Sequence, residues 1–86
     1  KDKVGYVRYD YINKNSLSVS IAIKEKYKRK GFGKQMLMKT LKRKKITNFN
    51  IIASIKKENL ISKSFFLDSG FKFLKKNIYM IKASHE

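Results

Sequence analysis

Cysteine, proline and tryptophan are absent from the 86 residues, and histidine occurs once. Without cysteine there is no disulfide framework, no Cys-ligated zinc and no thiol nucleophile. A single histidine, His85, excludes any site built from several imidazoles. Acid is scarce too: 6 Asp and Glu stand against 22 Lys and Arg, a formal net charge of +16. No apolar run approaches the roughly 18 residues of a spanning helix, and no basic-then-apolar export signal opens the chain. The expectation is a soluble cytoplasmic protein with no membrane partner. Of the basic residues 19 are Lys and 3 are Arg, beside 10 Ile and 6 Asn, a skew that an AT-rich coding sequence would produce. Part of the charge is therefore compositional. A basic surface still attracts nucleic acid, phosphorylated cofactors and acidic membranes alike, so composition does not choose among them.

What is present suffices for one foldable domain over 1–86, with 42% hydrophobic and 13% aromatic residues. Val4–Ile12 is rich in Val, Tyr and Ile and predicts a strand. Asn13–Ser16 is turn chemistry, and Leu17, Val19, Ile21 and Ile23 then alternate with Ser18, Ser20 and Ala22. These two runs predict an antiparallel hairpin. A charged loop over Lys24–Gly33 leads into a helix over 34–45, with Leu37 and Leu41 one turn apart. Thr47-Asn48 ends it, and Phe49–Ile55 is apolar on both sides, as a central strand should be. Asn59 caps a second helix over 60–67, and Gly70 fits the left-handed position after it, with Phe71 packing back. Phe71–Leu74 and Ile78–Ile81 form a last hairpin. The fold class is α+β, in the order ββαβαββ.

The segment Ile21-Ala22-Ile23 followed by Lys28-Arg29-Lys30-Gly31-Phe32-Gly33-Lys34 carries the chemistry. Glycines let backbone approach a ligand closely, and a helix N-terminus offers unpaired N–H groups at the positive end of its dipole. Together they make a phosphate cradle. The spacing is neither the P-loop nor the dinucleotide fingerprint. A plain strand-to-helix turn with a solvated basic loop is the competing reading.

This stretch resembles the acetyl-CoA pyrophosphate loop of the GNAT N-acetyltransferases, Arg/Gln-x-x-Gly-x-Gly/Ala after a strand. Lys28 stands at the Arg/Gln position, keeping the charge but losing the planar fork. The family's second block, Asn-x-x-Ala/Ser…Tyr-x-x-x-Gly-Phe, is matched by Asn59, Ser62, Phe66, Gly70 and Phe71. The resemblance implies a GNAT-like mixed sheet lacking the family's N-terminal strand and two helices, hence a fragment or a reduced member. It implies acetyl-CoA as co-substrate, bound by Ile21, Ala22, Ile23, Lys28, Arg29, Lys30, Gly31, Phe32, Gly33, Lys34, Asn59, Ser62 and Phe66. The strand ending at Ile23 and the one around Ile52–Ile55 would splay apart, and the pantetheine arm would pair with backbone of Ile21 and Ile23. Asn59 would hydrogen-bond that arm, cap its helix, or do both, and Ser62 would touch the cofactor or point to solvent.

The implied reaction is acetyl transfer to a primary amine by direct attack in a ternary complex. Family members commonly protonate the departing thiolate with a Tyr, and here Phe66 occupies that place. Tyr9, Tyr11 and Tyr79 are substitute acids on this reading, and Glu25 and Asp10 candidate bases; strand packing and a charged bend are their bland alternatives. The runs Gly5–Asp10 and Asn59–Phe71 look most like bacterial members acting on an amino sugar on a nucleotide carrier, with acetylation of a protein N-terminus as an alternative. A catalytically weakened acyl-CoA-binding module of a larger protein, or a homo-oligomer, is a further expectation. A nucleic-acid-binding protein is the remote one, since no reading motif is present.

Overall fold

The computed structural model describes residues 4–28 and 30–83. Strands β1 (Gly5–Asn13) and β2 (Ser16–Ile23) form the expected hairpin, and the N–H of Asn15 donates to Asn13 Oδ1 at 2.8 Å to set the turn. Helix α1 (Phe32–Leu41) follows, then β3 (Asn50–Ser54), α2 (Leu60–Asp68), β4 (Lys72–Lys75) and β5 (Ile78–Lys82). The five strands make one sheet in the order β1-β2-β3-β5-β4. Only β2 and β3 run parallel, which requires the crossover that α1 supplies.

Side chains alternate across a sheet, so one parity of residues shares each face. Leu17, Val19, Ile51, Ala53 and Tyr79 are buried on one face with Leu37 and Leu41 of α1 and Phe66 of α2. Both helices lie on that side. The opposite face carries Tyr6, Arg8, Asp10, Ile12, Ser18, Ser20, Ala22, Ile52, Ser54, Ile78 and Met80, and none of these is buried. The sheet is thus covered on one face only, among the described residues.

Helix ends follow local chemistry. Gly31 at φ 83 is the N-cap of α1, and the N–H of Gln35 donates to its carbonyl at 3.1 Å, so the helix opens at Phe32 rather than at 34. It also stops at Leu41 instead of 45; the N–H of Arg43 reaches back to Thr40 O, and a 3₁₀ turn over Lys44–Ile46 replaces the expected last α-turn. At the end of α2 the N–H of Phe71 donates to Phe66 O and that of Gly70 to Leu67 O, with Gly70 at φ 102. The Phe66 and Phe71 rings meet edge to face at 5.0 Å, completing a Schellman motif with its hydrophobic clasp. Among the described residues no helix is long and apolar enough to cross a membrane.

Candidate functional site

Paired residues between β2 and β3 are Ser16 with Asn50, Leu17 with Ile51 and Ser18 with Ile52, and there the pairing ends. β2 runs on to Ile23 and β3 to Ser54, so the two strands splay. Backbone direction in the gap follows from the hairpin register. The N–H of Lys24 donates to Val4 O, and hydrogen-bonded pairs alternate along an antiparallel ladder. Ser18, Ser20 and Ala22 therefore aim their backbone groups at β1, while Ile21 and Ile23 aim theirs at the gap. That exposed backbone can accept an extended ligand as an added strand.

Two cavities fill the gap. One, about 470 Å³, is lined by Val19, Ser20, Ile21, Ala53, Ser54, Ile55, Lys56, Asn59, Ser62 and Phe66. A second of about 720 Å³ adjoins it through Ile21, Ser62 and Phe66, and reaches Ala22, Ile23, Glu25, Lys28, Gly31, Gly33, Lys34, Ile61 and Phe65. Ser20 and Ser54 belong to the uncovered face, whereas Val19, Ala53 and Phe66 belong to the helical one. The cavity is a slot between β2 and β3, lined by residues from both faces of the sheet.

At its wider end lies the N-terminus of α1, with no side-chain cap on its first turn. Its unpaired N–H groups and dipole favour an anion there, and Lys28 and Lys34 line the same cavity. Glu25 shares that space, its Oε1 3.3 Å from Lys28 Nζ. The two glycines serve different ends. A Cβ on Gly31 would meet nothing within 4 Å, so this residue is required for its left-handed φ and leaves an open approach. A Cβ on Gly33 would lie 3.2 Å from Phe65 Cε1 and 3.4 Å from Ile23 Cγ1, so its absent side chain seats Phe65 of α2 against β2.

Asn59 caps α2, its Oδ1 accepting from the N–H of Ser62 at 3.1 Å, and both residues line the slot. One side chain so serves the helix and faces the cavity. Phe66 is buried, meets the Phe65 and Phe71 rings edge to face, and lines both cavities. Of the remaining cofactor candidates, Phe32 packs on the Tyr27 ring at 5.7 Å and Lys30 is exposed; neither lines the slot. Arg29 and His85 lie outside the described residues.

The substitute acids are scattered. Tyr9 hydroxyl is 2.7 Å from Thr40 Oγ1, packed under α1, and burial raises its pKa. Tyr79 is buried against Phe73, and Tyr11 is exposed beside Phe49. None of the three lines the slot. Asp10 sits on the uncovered face in an ion pair with Arg8. Sequence reasoning missed Ile61 and Phe65, which flank Ser62 and Phe66 on one face of α2; helical spacing from those two would have found them. It also missed Ser54, whose place depends on where β3 leaves β2.

The family model described as "Acetyltransferase (GNAT) family" matches residues 1–71. No curated protein matches the chain. Among solved structures the chain is similar to Ard1 from Thermoplasma volcanium, with 17% identity and a TM-score of 0.72. The match covers 90% of this chain and 60% of that one, and at this identity it is a likeness of fold.

Proposed function

The chain belongs to the GNAT acetyltransferase family, and on that premise we propose that it binds acetyl-CoA along the slot and passes the acetyl group to a primary amine. The carrying observation is the splay of β2 from β3, which opens Ile21 and Ile23 backbone beside the Gly31-capped helix. Lys28, Lys34 and the first turn of α1 would hold the diphosphate, and Ile21 and Ile23 the amide-bearing arm. The cofactor supplies a thioester, an acyl group activated toward amines. A deprotonated amine attacks its carbonyl carbon; the C–N bond forms as the C–S bond breaks. One proton leaves the ammonium to water before attack, and a second leaves the acetylated nitrogen to neutralise the thiolate. A thiol pKa of about 8.5 lets that thiolate depart without concerted protonation, which suits a site with Phe at position 66.

An amino sugar on a nucleotide carrier is the acceptor we favour, supported by the resemblance of Gly5–Asp10 and Asn59–Phe71; a protein N-terminus is the alternative. Phe66, enclosed by Phe65 and Phe71, favours a second reading as a catalytically weakened acyl-CoA-binding module. Thermal melting with acetyl-CoA tests the common ground. The cofactor should raise Tm of the parent and of Lys42→Ala, but not of a folded Gly31→Val, because ligand bound to the native state stabilises by mass action. A parent with no shift overturns the proposal. Thiol release with an amine then separates enzyme from module.

A further inference from the structure

A second surface lies at the β4 end of the sheet, with β5 between it and the strands of the slot. β4 is an edge strand, and all four of its residues are exposed. Its middle is apolar: Phe73 and Leu74 are each more than half exposed. Phe73 pairs with Tyr79 and meets its ring at 5.6 Å, on the helical face. Leu74 stands at a break in register between Phe73 and Lys75, where it has no partner on β5. Beside it opens a cavity of about 310 Å³, with Gly70, Leu74, Met80 and Ile81 in its wall and Lys72 and Lys82 as its cations.

The lysines there form a row. Lys72 pairs with Met80 and Lys75 with Ile78, while Lys82 follows Met80 by two residues, so all three stand on the uncovered face. Along the strand direction they occupy the levels of residues 82, 80 and 78, about 13 Å from first to last. Lys76 extends the row into the turn. None of these four lysines has an ion pair among the described residues, and no carboxylate lies on β4 or β5. Of the described acids, Asp10 and Glu25 pair with Arg8 and Lys28, Glu58 precedes α2 and Asp68 ends it.

Lysines and a bulge on an edge strand are ordinary devices against self-pairing. A second copy laid antiparallel on β4 would set lysine against lysine, so the surface rejects this chain itself. Self-avoidance does not account for an exposed Leu74 at the lip of a cavity. We infer that this face docks an extended acidic segment of a partner protein, with one large aliphatic side chain in the cavity and a carboxylate two residues to either side, on Lys82 and Lys75. In an extended chain residues i, i+2 and i+4 share one face and span about 13 Å, the length of the lysine row. The aliphatic group is the anchor, and the charges set direction and register. A nucleic-acid strand fits less well: the exposed ring of β4, Phe73, belongs to the other face, so bases have nothing to stack on along the row. An amphiphile with a single anionic head would leave most of the lysines unpaired.

The test is titration of the full ¹⁵N-labelled chain with capped peptides at physiological salt. Glu-Ser-Leu-Ser-Glu should shift the amides of Lys72, Leu74, Met80 and Lys82 and reach saturation. Glu-Ser-Ser-Ser-Glu and Lys-Ser-Leu-Ser-Lys should each bind at least tenfold more weakly. Lys72→Glu with Lys75→Glu should reverse the preference between the acidic and basic leucine peptides, and Leu74→Ser should abolish the advantage of leucine over serine. Both changes fall on exposed side chains, and the three peptides on the parent decide the matter if a variant does not fold. Equal binding of the first peptide and either control overturns the inference, as do shifts spread over lysines throughout the chain. Tighter binding of pentathymidylate or of phosphatidylserine vesicles at the same amides would overturn it in favour of nucleic acid or lipid. Shifts of these amides with chain concentration, in the absence of peptide, would overturn it in favour of a second copy.

Discussion

Phe66 and Tyr9 show how neighbouring packing decides what a ring can do. Phe66 is held by Phe65 and Phe71 yet borders the slot, so a hydroxyl added there would project from a fixed ring. General acid catalysis is worth about 10²–10⁴-fold. Phe66→Tyr should raise kcat by at least tenfold with acetyl-CoA affinity nearly unchanged, as single-turnover and melting measurements would show; Tyr79→Phe and Tyr9→Phe should leave kcat alone. Tyr9 has a structural duty. Its pKa is raised chiefly by burial, against the opposing effects of the Thr40 hydrogen bond and Arg43. The folded state then holds the phenol proton more tightly than the unfolded chain, whose pKa is about 10. The stability this contributes is complete below pH 10 and is lost as pH rises through the higher folded value. Between pH 9 and 11 the parent's Tm should fall more steeply than that of Tyr9→Phe, the difference removing the shared titration of the lysines.

At the scale of elements, the helix caps separate structure from binding. Asn59→Ala removes the bond to the Ser62 N–H and should destabilise by about 1 kcal/mol in urea melts. Asn59→Asp retains the cap acceptor but no amide donor, so it should keep stability while weakening acetyl-CoA binding if the side chain also reaches the ligand arm; unchanged binding would assign Asn59 to the cap alone. Gly31→Ala places a Cβ at φ 83 and should cost about 1–2 kcal/mol through the backbone. Gly33→Ala acts instead through Phe65 and should narrow the slot. Much of this was legible in the sequence, because caps are local: Asn59, Gly70 and Phe71 each announce a helix end by residue type and spacing. The ββαβαββ order was legible for the same reason, through alternation in Leu17–Ile23 and the apolar run at Phe49–Ile55. The splay was reached only through the resemblance, since nothing in Ser18 or Ile52 states where parallel pairing stops. Tyr9 meeting Thr40, the seating of Phe65 on Gly33 and the uncovered face are products of tertiary packing, joining residues far apart in the chain. A helix over 34–45 failed at its ends because apolar spacing marks a buried stripe, not the cap that terminates it.

Across the whole molecule a net charge of +16 creates a field, and a field is not a site. Any lysine-rich surface draws a polyanion from a distance, and the attraction weakens over roughly a Debye length as salt rises. The sheet order allows the two effects to be separated. Lys28 and Lys34 line the slot beside α1, whereas Lys72 and Lys75 lie on β4, the edge strand farthest from β1. Replacing either pair by Glu changes net charge by the same four units. Both double variants should lose affinity for random-sequence DNA about equally, with the binding of the parent itself weak and falling steeply between low and physiological salt. Acetyl-CoA should tell them apart: Lys28→Glu with Lys34→Glu should lower its affinity at least tenfold, while Lys72→Glu with Lys75→Glu should slow association modestly and leave the dissociation rate unchanged. Equal loss of acetyl-CoA binding in the two would mean that the long-range field alone holds the ligand. The splayed strands argue for the other outcome, because Ile21 and Ile23 offer backbone groups whose hydrogen bonds form at contact distance and persist at an ionic strength that screens the lysines.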